Sequence, residues 1–366
     1  MQCPEDMSLP QFIIFFNEAA KSPQNPTPHH KRLHRRLQQK KYHRKGGYGM
    51  VYKGILTWGN RVNELVVVKR LDASGFQGNK EFHTEVTMLS EYQHQNIITL
   101  IGFCDDNNEM ILVYEYAING SLNTYLSVTT TTDDLSWQHC LKIWIDIAFV
   151  LYYLHNHVAK KHRIIHHDIT SANILLDENW NSKLSDFGLA RIGLPNQHNT
   201  FVITHPGGTP GYSDPQYERT GFLTKESDVY SSGVVLFEVL CGRLAYILSY
   251  HDEQKFLHHW ARTHYKNGEL DEIIDHRIKN AIKPKALRTF SAIAYQCLQK
   301  SREERPTSAE IVYQLKDTRK IQLEDEGDAH FSSPYTKGIF RQSSANKGEM
   351  VRVQLRKTKL SLFISE

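Results

Sequence analysis

Ile165-His166-His167-Asp168-Ile169-Thr170-Ser171-Ala172-Asn173-Ile174-Leu175-Leu176, followed by Lys183-Leu184-Ser185-Asp186-Phe187-Gly188, is the stretch that decides the fold. It places an Asp and an Asn five residues apart on a loop, then a second Asp directly before Phe-Gly. Those three side chains supply one base and two oxygen ligands of the kind a hard divalent cation such as magnesium takes.

Upstream of this stretch the pattern is of short strands. Gly46-Gly47-Tyr48-Gly49-Met50-Val51 lies where one strand turns back into another. Glycines there let the backbone approach phosphates, and a following Val can cover a purine, although glycines in a hairpin are also ordinary turn residues. From Tyr48 to Arg70 two β-type runs separated by Gly59 and Asn60 predict an antiparallel pair. Val66-Val67-Val68-Lys69 puts a lysine in an apolar strand, and Glu85 falls on the helix expected over 81–92. A lysine fixed by a carboxylate can present its ammonium to the α and β phosphates of a nucleotide; taken singly, the pair also reads as an edge-strand lysine and a solvated glutamate. Further strands are expected over 97–104 and 110–116, giving a small sheet-rich lobe with one helix.

Downstream of Asn119-Gly120 the periodicity turns helical, with segments from about Trp137 to His155, Lys225 to Cys241, Gln254 to Asn267, Ala286 to Leu298 and Ser308 to Lys316. No internal repeat is present, which argues against a solenoid. From Ile321 onward Ser, Lys, Gly and Gln dominate without a period.

The 366 residues allow one large domain or two small ones, and 40% hydrophobic with 23% charged residues is a globular composition. The formal charge of +4 is concentrated in a basic run between Lys31 and Lys45, within a Pro- and His-rich leader read as flexible. That run reads as a solvated leader; contact with anionic lipid, an import receptor or nucleic acid is the alternative, and nucleic acid is not the expected partner. The five cysteines lie far apart without metal-ligand spacing, which favours a reducing compartment. The apolar run Phe12–Phe16 is far shorter than the roughly 20 residues of a membrane span, and the acidic residues before it argue against a signal peptide. His29-His30 and His258-His259 have no carboxylate or cysteine at metal spacing and are read as solvated surface residues.

The whole set resembles the signature of a eukaryotic protein kinase domain, over about Tyr42 to Asp317. Leu112-Val113-Tyr114-Glu115-Tyr116, Asn119-Gly120-Ser121-Leu122, Ala172-Asn173-Ile174-Leu175-Leu176-Asp177-Glu178 and Lys225-Glu226-Ser227-Asp228-Val229-Tyr230-Ser231 are most similar to plant receptor-like and receptor-like cytoplasmic kinases of the FERONIA-like group. The resemblance implies an α+β, two-lobed fold: a basic leader over 1–41, a sheet-rich lobe over about 42–116, a mainly helical lobe over about 117–317, and a poorly ordered tail over 318–366. It implies ATP and Mg2+ as cofactors, a protein acceptor bearing Ser or Thr, receptor-linked signalling, and a cytoplasmic place, with peripheral attachment at the plasma membrane beside a receptor complex as an alternative.

Residue by residue, the resemblance makes Lys69 the holder of the ATP phosphates and Glu85 its orienter. Asp168 positions the acceptor hydroxyl and takes its proton, and Asn173 and Asp186 bind magnesium. Gly46, Gly47, Gly49 and Val51 cover the nucleotide, Val67 packs on adenine, Tyr114 limits the pocket's depth, and backbone groups of Glu115 and Ala117 meet the adenine edge. Asp228 and Arg305 brace the loops. Gly208-Thr209-Pro210-Gly211-Tyr212 resembles the Ser/Thr-type substrate loop.

The sequence departs from the family pattern at named places. Arg44 stands for the first glycine of the phosphate loop, and Lys40-Lys41-Tyr42-His43 replaces the apolar residues before it, so the first strand is expected to be short or missing. Val67 stands for a small alanine, and overpacking of this kind commonly costs about 1–3 kcal/mol. His167 replaces an arginine that reads activation-loop phosphate, and Thr170 replaces a lysine that contacts the transferring phosphate. Gln216 replaces the glutamate that pairs with the arginine matched by Arg305, and is expected to accept that arginine's hydrogen bond without the charge. These changes leave two readings, an active kinase and a pseudokinase scaffold that binds nucleotide with little transfer.

Overall fold

Period-two alternation in the Val66–Leu71 segment sets the architecture of the first lobe. Val66 and Val68 point to one face, where they pack with Leu56, Cys104, Ile111 and Val113. Val67, Lys69 and Leu71 therefore point to the other. The computed structural model describes residues 15–16, 45–46, 49–58, 61–71, 76–105, 109–126, 135–157, 163–193, 201–204 and 207–324. The strands are β1 (Phe15–Phe16), β2 (Lys45–Gly46), β3 (Gly49–Trp58), β4 (Arg61–Leu71), β5 (Leu100–Cys104) and β6 (Met110–Glu115), with helix α1 (Phe76–Glu91) between β4 and β5. They form one six-stranded sheet in the order β1-β5-β6-β4-β3-β2. Every pairing is antiparallel, and β4 lies inside the sheet between β3 and β6, so Lys69 is not on an edge strand.

The second lobe is built on helices α2 (Trp137–Tyr152), α3 (Pro215–Thr220), α4 (Lys225–Cys241), α5 (Leu257–Asn267), α6 (His276–Lys279), α7 (Pro284–Cys297) and α8 (Ser308–Leu323). Their ends are chemically marked. Ser136 caps α2 by accepting from His139 N at 3.2 Å, and Gly242 ends α4 in the left-handed conformation at φ 60°. Thr307 and Glu310 form a reciprocal capping box at α8, with Thr307 N donating to Glu310 Oε2 at 2.7 Å. Helix α4 is buried almost all round, as expected of a central core helix. A Cβ on its Gly233 would stand 2.6 Å from Cys297 Cβ, so the glycine is what allows α4 and α7 to approach.

Three two-stranded ladders lie between α2 and α4: β7 (Arg163–Ile165) with β10 (Arg191–Gly193), β8 (Ile174–Leu176) with β9 (Ser182–Leu184), and β11 (Val202–Ile203) with β12 (Phe222–Leu223). They hold the loops that carry Asp168 and Asp186. A parallel bridge from Ile97 to Leu184 ties β9 to the segment leaving α1, so the two lobes share this seam.

The observed elements differ from the expected ones at their margins. Helix α1 begins at Phe76, before the expected 81, and α8 continues to Leu323 with Ile321 buried, past Asp317. The strand expected from Ile97 begins at Leu100, because Ile97 N and Ile98 N bond to His94 O and Leu184 O instead. Of the strand expected to lead into the phosphate loop, the described residues give the two of β2, and Phe15–Phe16 of the leader pairs with Phe103 and Gly102 of β5. The Lys31–Arg44 part of the basic run, His29-His30, Gly47 and the tail beyond Glu324 lie outside the described residues.

Candidate active site

Lys69 leaves β4 on the face shared with Tyr114 of β6, toward α1. Its ammonium lies 3.2 Å from Glu85 Oε2 and 2.8 Å from Asp186 Oδ1. Burial pulls the Lys69 pKa down, but Glu85 and Asp186 together overcome that and hold it above the ordinary lysine value. Burial pushes the Glu85 carboxyl up, and the Lys69 ammonium opposes the shift. The lysine is thus a fixed positive charge suspended between two carboxylates.

Asp186 reaches this position by a backbone turn. It adopts φ 64° and ψ 69°, a left-handed conformation that Asp tolerates better than most residues. The turn sends Phe187 into the core against His166, with ring centroids 4.6 Å apart, and leaves Gly188 so close to α1 that a Cβ would lie 3.1 Å from Glu81 Cβ. The Asp186 side chain stays 30% exposed, whereas that of Glu85 is 2% exposed. Of the two carboxylates beside Lys69, only Asp186 opens to the cleft.

Asp168 sits on the loop after β7. Its loop backbone is fixed from α4: Asp228 Oδ2 accepts from His166 N and Asp228 Oδ1 from His167 N, each at 2.8 Å. His155, in the π-helical turn Tyr153–His157 after α2, bonds Asp228 Oδ2 through Nε2 at 3.0 Å. His166 accepts from Asp168 N at Nδ1 and therefore donates from Nε2 to Ser185 O, at 3.1 Å. Burial lowers the His166 pKa, in keeping with this neutral form.

Among the described residues, the carboxylate of Asp168 accepts hydrogen bonds from two side chains. Asn173 Nδ2 donates to Asp168 Oδ2 at 2.9 Å and to Asp168 O at 2.8 Å. Thr209 Oγ1 donates to Asp168 Oδ1 at 2.7 Å. Asn173 spends its amide hydrogens on Asp168, which leaves its Oδ1 as an oxygen donor. With the Asp186 carboxylate, this makes the hard-oxygen pair that magnesium takes alongside phosphate oxygens, so the residues present fit Mg-ATP. Among the described residues no cluster of three His, Cys, Asp or Glu side chains could hold a metal by itself.

Around this centre, β2 and β3 form the hairpin that carries the glycines, with Gly46 paired to Gly49 and Val51 to Lys69. Val67 pairs with Tyr114, and Glu115 and Ala117 begin the connection between the lobes. Ala117 gives its carbonyl to Gly120 N at 3.1 Å and, among the described residues, its own N–H to no acceptor.

The departures have structural consequences. His167 turns its Nδ1 to Leu189 O at 3.3 Å and its ring to Tyr217, with centroids 5.1 Å apart. Burial lowers its pKa, so a neutral ring fills this place. Thr170 is 2% exposed. Gln216 does not accept from Arg305: its Oε1 is buried and, among the described residues, has no hydrogen bond, and Arg305 Nη2 donates to Asp214 Oδ1 at 2.8 Å instead. A guanidinium gains more from a carboxylate than from a neutral amide. Burial alone would push the Asp214 carboxyl up; Arg305, with Arg302 at 3.1 Å, holds it below its usual range.

Residues to which the sequence reading assigned no catalytic or binding role also shape the site. Tyr212 OH donates to Glu238 Oε1 at 2.6 Å, so Ser171 Oγ, 3.3 Å from that phenol, donates to it in turn. Ala245 N donates to the same Glu238 oxygen at 2.7 Å, and burial pushes the Glu238 pKa up to about 7. His258, expected on the surface, is 7% exposed and faces Gly211 O. Leu257, His258 and Ala261 recur at helical spacing on the buried side of α5, and that was the available signal.

A protein kinase domain model matches residues 40–315 of the chain. Among Arabidopsis thaliana relatives, HERK 1 is 43% identical over 76% of this chain and 32% of its own length. ANXUR2 is 42% identical over 78% and 32%, and FERONIA 42% over 76% and 30%. All three are receptor-like protein kinases, and the chain spans about a third of their length. Among the described residues no helix is long and apolar enough to cross a membrane. With the two-lobed fold, the Lys69–Glu85–Asp186 cluster and these matches together, the chain belongs to the protein kinase domain family, and over this domain it is similar to receptor-like relatives.

Proposed function

We propose that the chain binds Mg-ATP between its lobes and transfers the γ-phosphoryl group to a Ser or Thr hydroxyl of a protein, within receptor-linked signalling. The observation that carries the reading is the convergence of Lys69, Glu85 and Asp186 on one side of the cleft with Asp168, Asn173 and Thr209 on the other. Mg-ATP supplies the transferable phosphoryl group. Lys69 holds the phosphates, and Asn173 Oδ1 and Asp186 hold the cation. Gly46, Gly47, Gly49, Val51 and Val67 enclose the nucleotide, Tyr114 bounds the pocket, and Glu115 and Ala117 orient the base. Asp168 positions the acceptor hydroxyl and takes its proton. Thr209 beside Asp168 favours Ser or Thr as acceptor. The domain spans about 42–317 and α8 carries it to Leu323. The chain acts in the cytoplasm, beside a receptor complex at the plasma membrane.

Transfer is tested with labelled ATP, magnesium and myelin basic protein, followed by identification of the labelled amino acid. Label on Ser or Thr, absent with Asp168→Asn and Lys69→Met, is expected; no label above those controls refutes the reading.

A pseudokinase is the second reading, favoured by the surroundings of Asp168. Its neighbours Asn173 and Thr209 are neutral, and among the described residues no lysine or arginine is bonded to it. A thermal shift with Mg-ATP but no transfer would establish that reading.

A further inference from the structure

The substrate loop is fastened to the helical lobe from two helices. From α4, Ser231 Oγ donates to Tyr212 O at 2.9 Å, and Glu238 accepts from the Tyr212 phenol. From α5, His258 Nδ1 lies 3.2 Å from Gly211 O. A carbonyl only accepts, so Nδ1 carries the hydrogen. Burial, then His259 and Arg262, lower the His258 pKa to about 4, which leaves a neutral ring at physiological pH. Its other neighbours are Tyr230 and Phe256, with centroids 6.1 and 5.8 Å away.

The loop is seated tightly at this point. Gly211 has φ +91°, and a Cβ there would lie 3.1 Å from Tyr246 Cβ and 3.4 Å from the Ala245 backbone. Residues 245–246 are in turn joined to the start of α5, by Leu257 N to Ala245 O at 2.8 Å and by a bridge between Tyr246 and Phe256. Gly211 is followed by Tyr212, whose N–H bonds Thr209 O at 3.1 Å, and Thr209 Oγ1 reaches Asp168. A continuous path therefore runs from α5 through His258, Gly211 and Thr209 to Asp168.

We propose that His258 is a positioning residue for the protein acceptor: it latches the substrate loop at Gly211 O and thereby sets Thr209 against Asp168. The inference rests on the phosphotransfer reading for its kinetic consequence but on geometry alone for the latch. His258→Ala removes the donor; His258→Asn restores one, because Asn Nδ2 stands where Nδ1 does.

The test combines hydrogen exchange with steady-state kinetics on the full chain, with myelin basic protein as acceptor. In His258→Ala, exchange across 207–213 and the acceptor KM are each expected to rise about fivefold, the effect of one net hydrogen bond, with the ATP KM unchanged. His258→Asn is expected to restore both. Unchanged exchange across 207–213 in His258→Ala overturns the latch, as does an Asn variant that behaves like Ala. Absence of transfer in the wild type would refute the phosphotransfer reading and leave exchange to decide the latch by itself.

Discussion

The two sides of the cleft are held by different kinds of force. On the nucleotide side, full charges do the positioning: Lys69 lies between Glu85 and Asp186, and burial makes each charge depend on its partner. On the acceptor side, the groups nearest Asp168 are neutral: Asn173, Thr209, Thr170, and the uncharged rings of His166 and His167. Among the described residues charge stands one step back, in Asp228 beneath the loop, in Arg191 on the Leu189 carbonyl that also faces His167, and in the Asp214–Arg305 pair. The departures Thr170, His167 and Gln216 all fall on this side. On the proposed reading, a site of this construction holds nucleotide by charge and carries less positive charge on the acceptor side.

The largest effect that sharpens the contrast is Asp168→Asn. It is expected to cut transfer by about 10²–10⁴-fold while leaving the Mg-ATP thermal shift in place. Asp186→Asn, from the charged side, is expected to remove the magnesium-dependent part of that shift; calorimetry on the two variants checks the split. Next, Asp214→Ala strands the buried Arg305 and is expected to cost about 3–5 kcal/mol of stability by denaturant titration, whereas Gln216→Ala costs far less.

Glu238 gives a pH signature. Its folded pKa is raised from 4.5 to about 7, so the stability it contributes is full below pH 4.5 and is lost as pH rises through 7. Relative to Glu238→Gln, the wild type is expected to lose roughly 3 kcal/mol across that window, read from paired unfolding curves. The smallest of these effects, and the one aimed at the neutral side itself, is Thr170→Lys. It is expected to raise kcat about tenfold with the ATP KM unchanged. A lower kcat in that variant would break the contrast.

Much of this was legible in the sequence, for reasons that differ by element. Helix α4 matched its expected bounds because Thr224 and Gly242 punctuate a long apolar run. Lys69 and Glu85 come together in the sequence through the family resemblance, because strand and helix taken singly leave an edge lysine and a solvated glutamate open. Helix α8 runs past its expected end because its last turn mixes Lys, Arg and Gln with a single buried Ile321, which hides the period. The Arg305 partner differs from the expected one because the choice between Asp214 and Gln216, two positions apart, is made by the fold of α3 and not by spacing. His258 was read as surface because a histidine pair carries no signal of burial, although its spacing from Leu257 and Ala261 did.

The most direct test measures Mg-ATP binding and phosphoryl transfer on one preparation of the full chain. We predict saturable, magnesium-dependent nucleotide binding together with labelled Ser or Thr on the acceptor, the latter lost in Asp168→Asn. Nucleotide binding without any transfer, or no binding at all, would contradict the account.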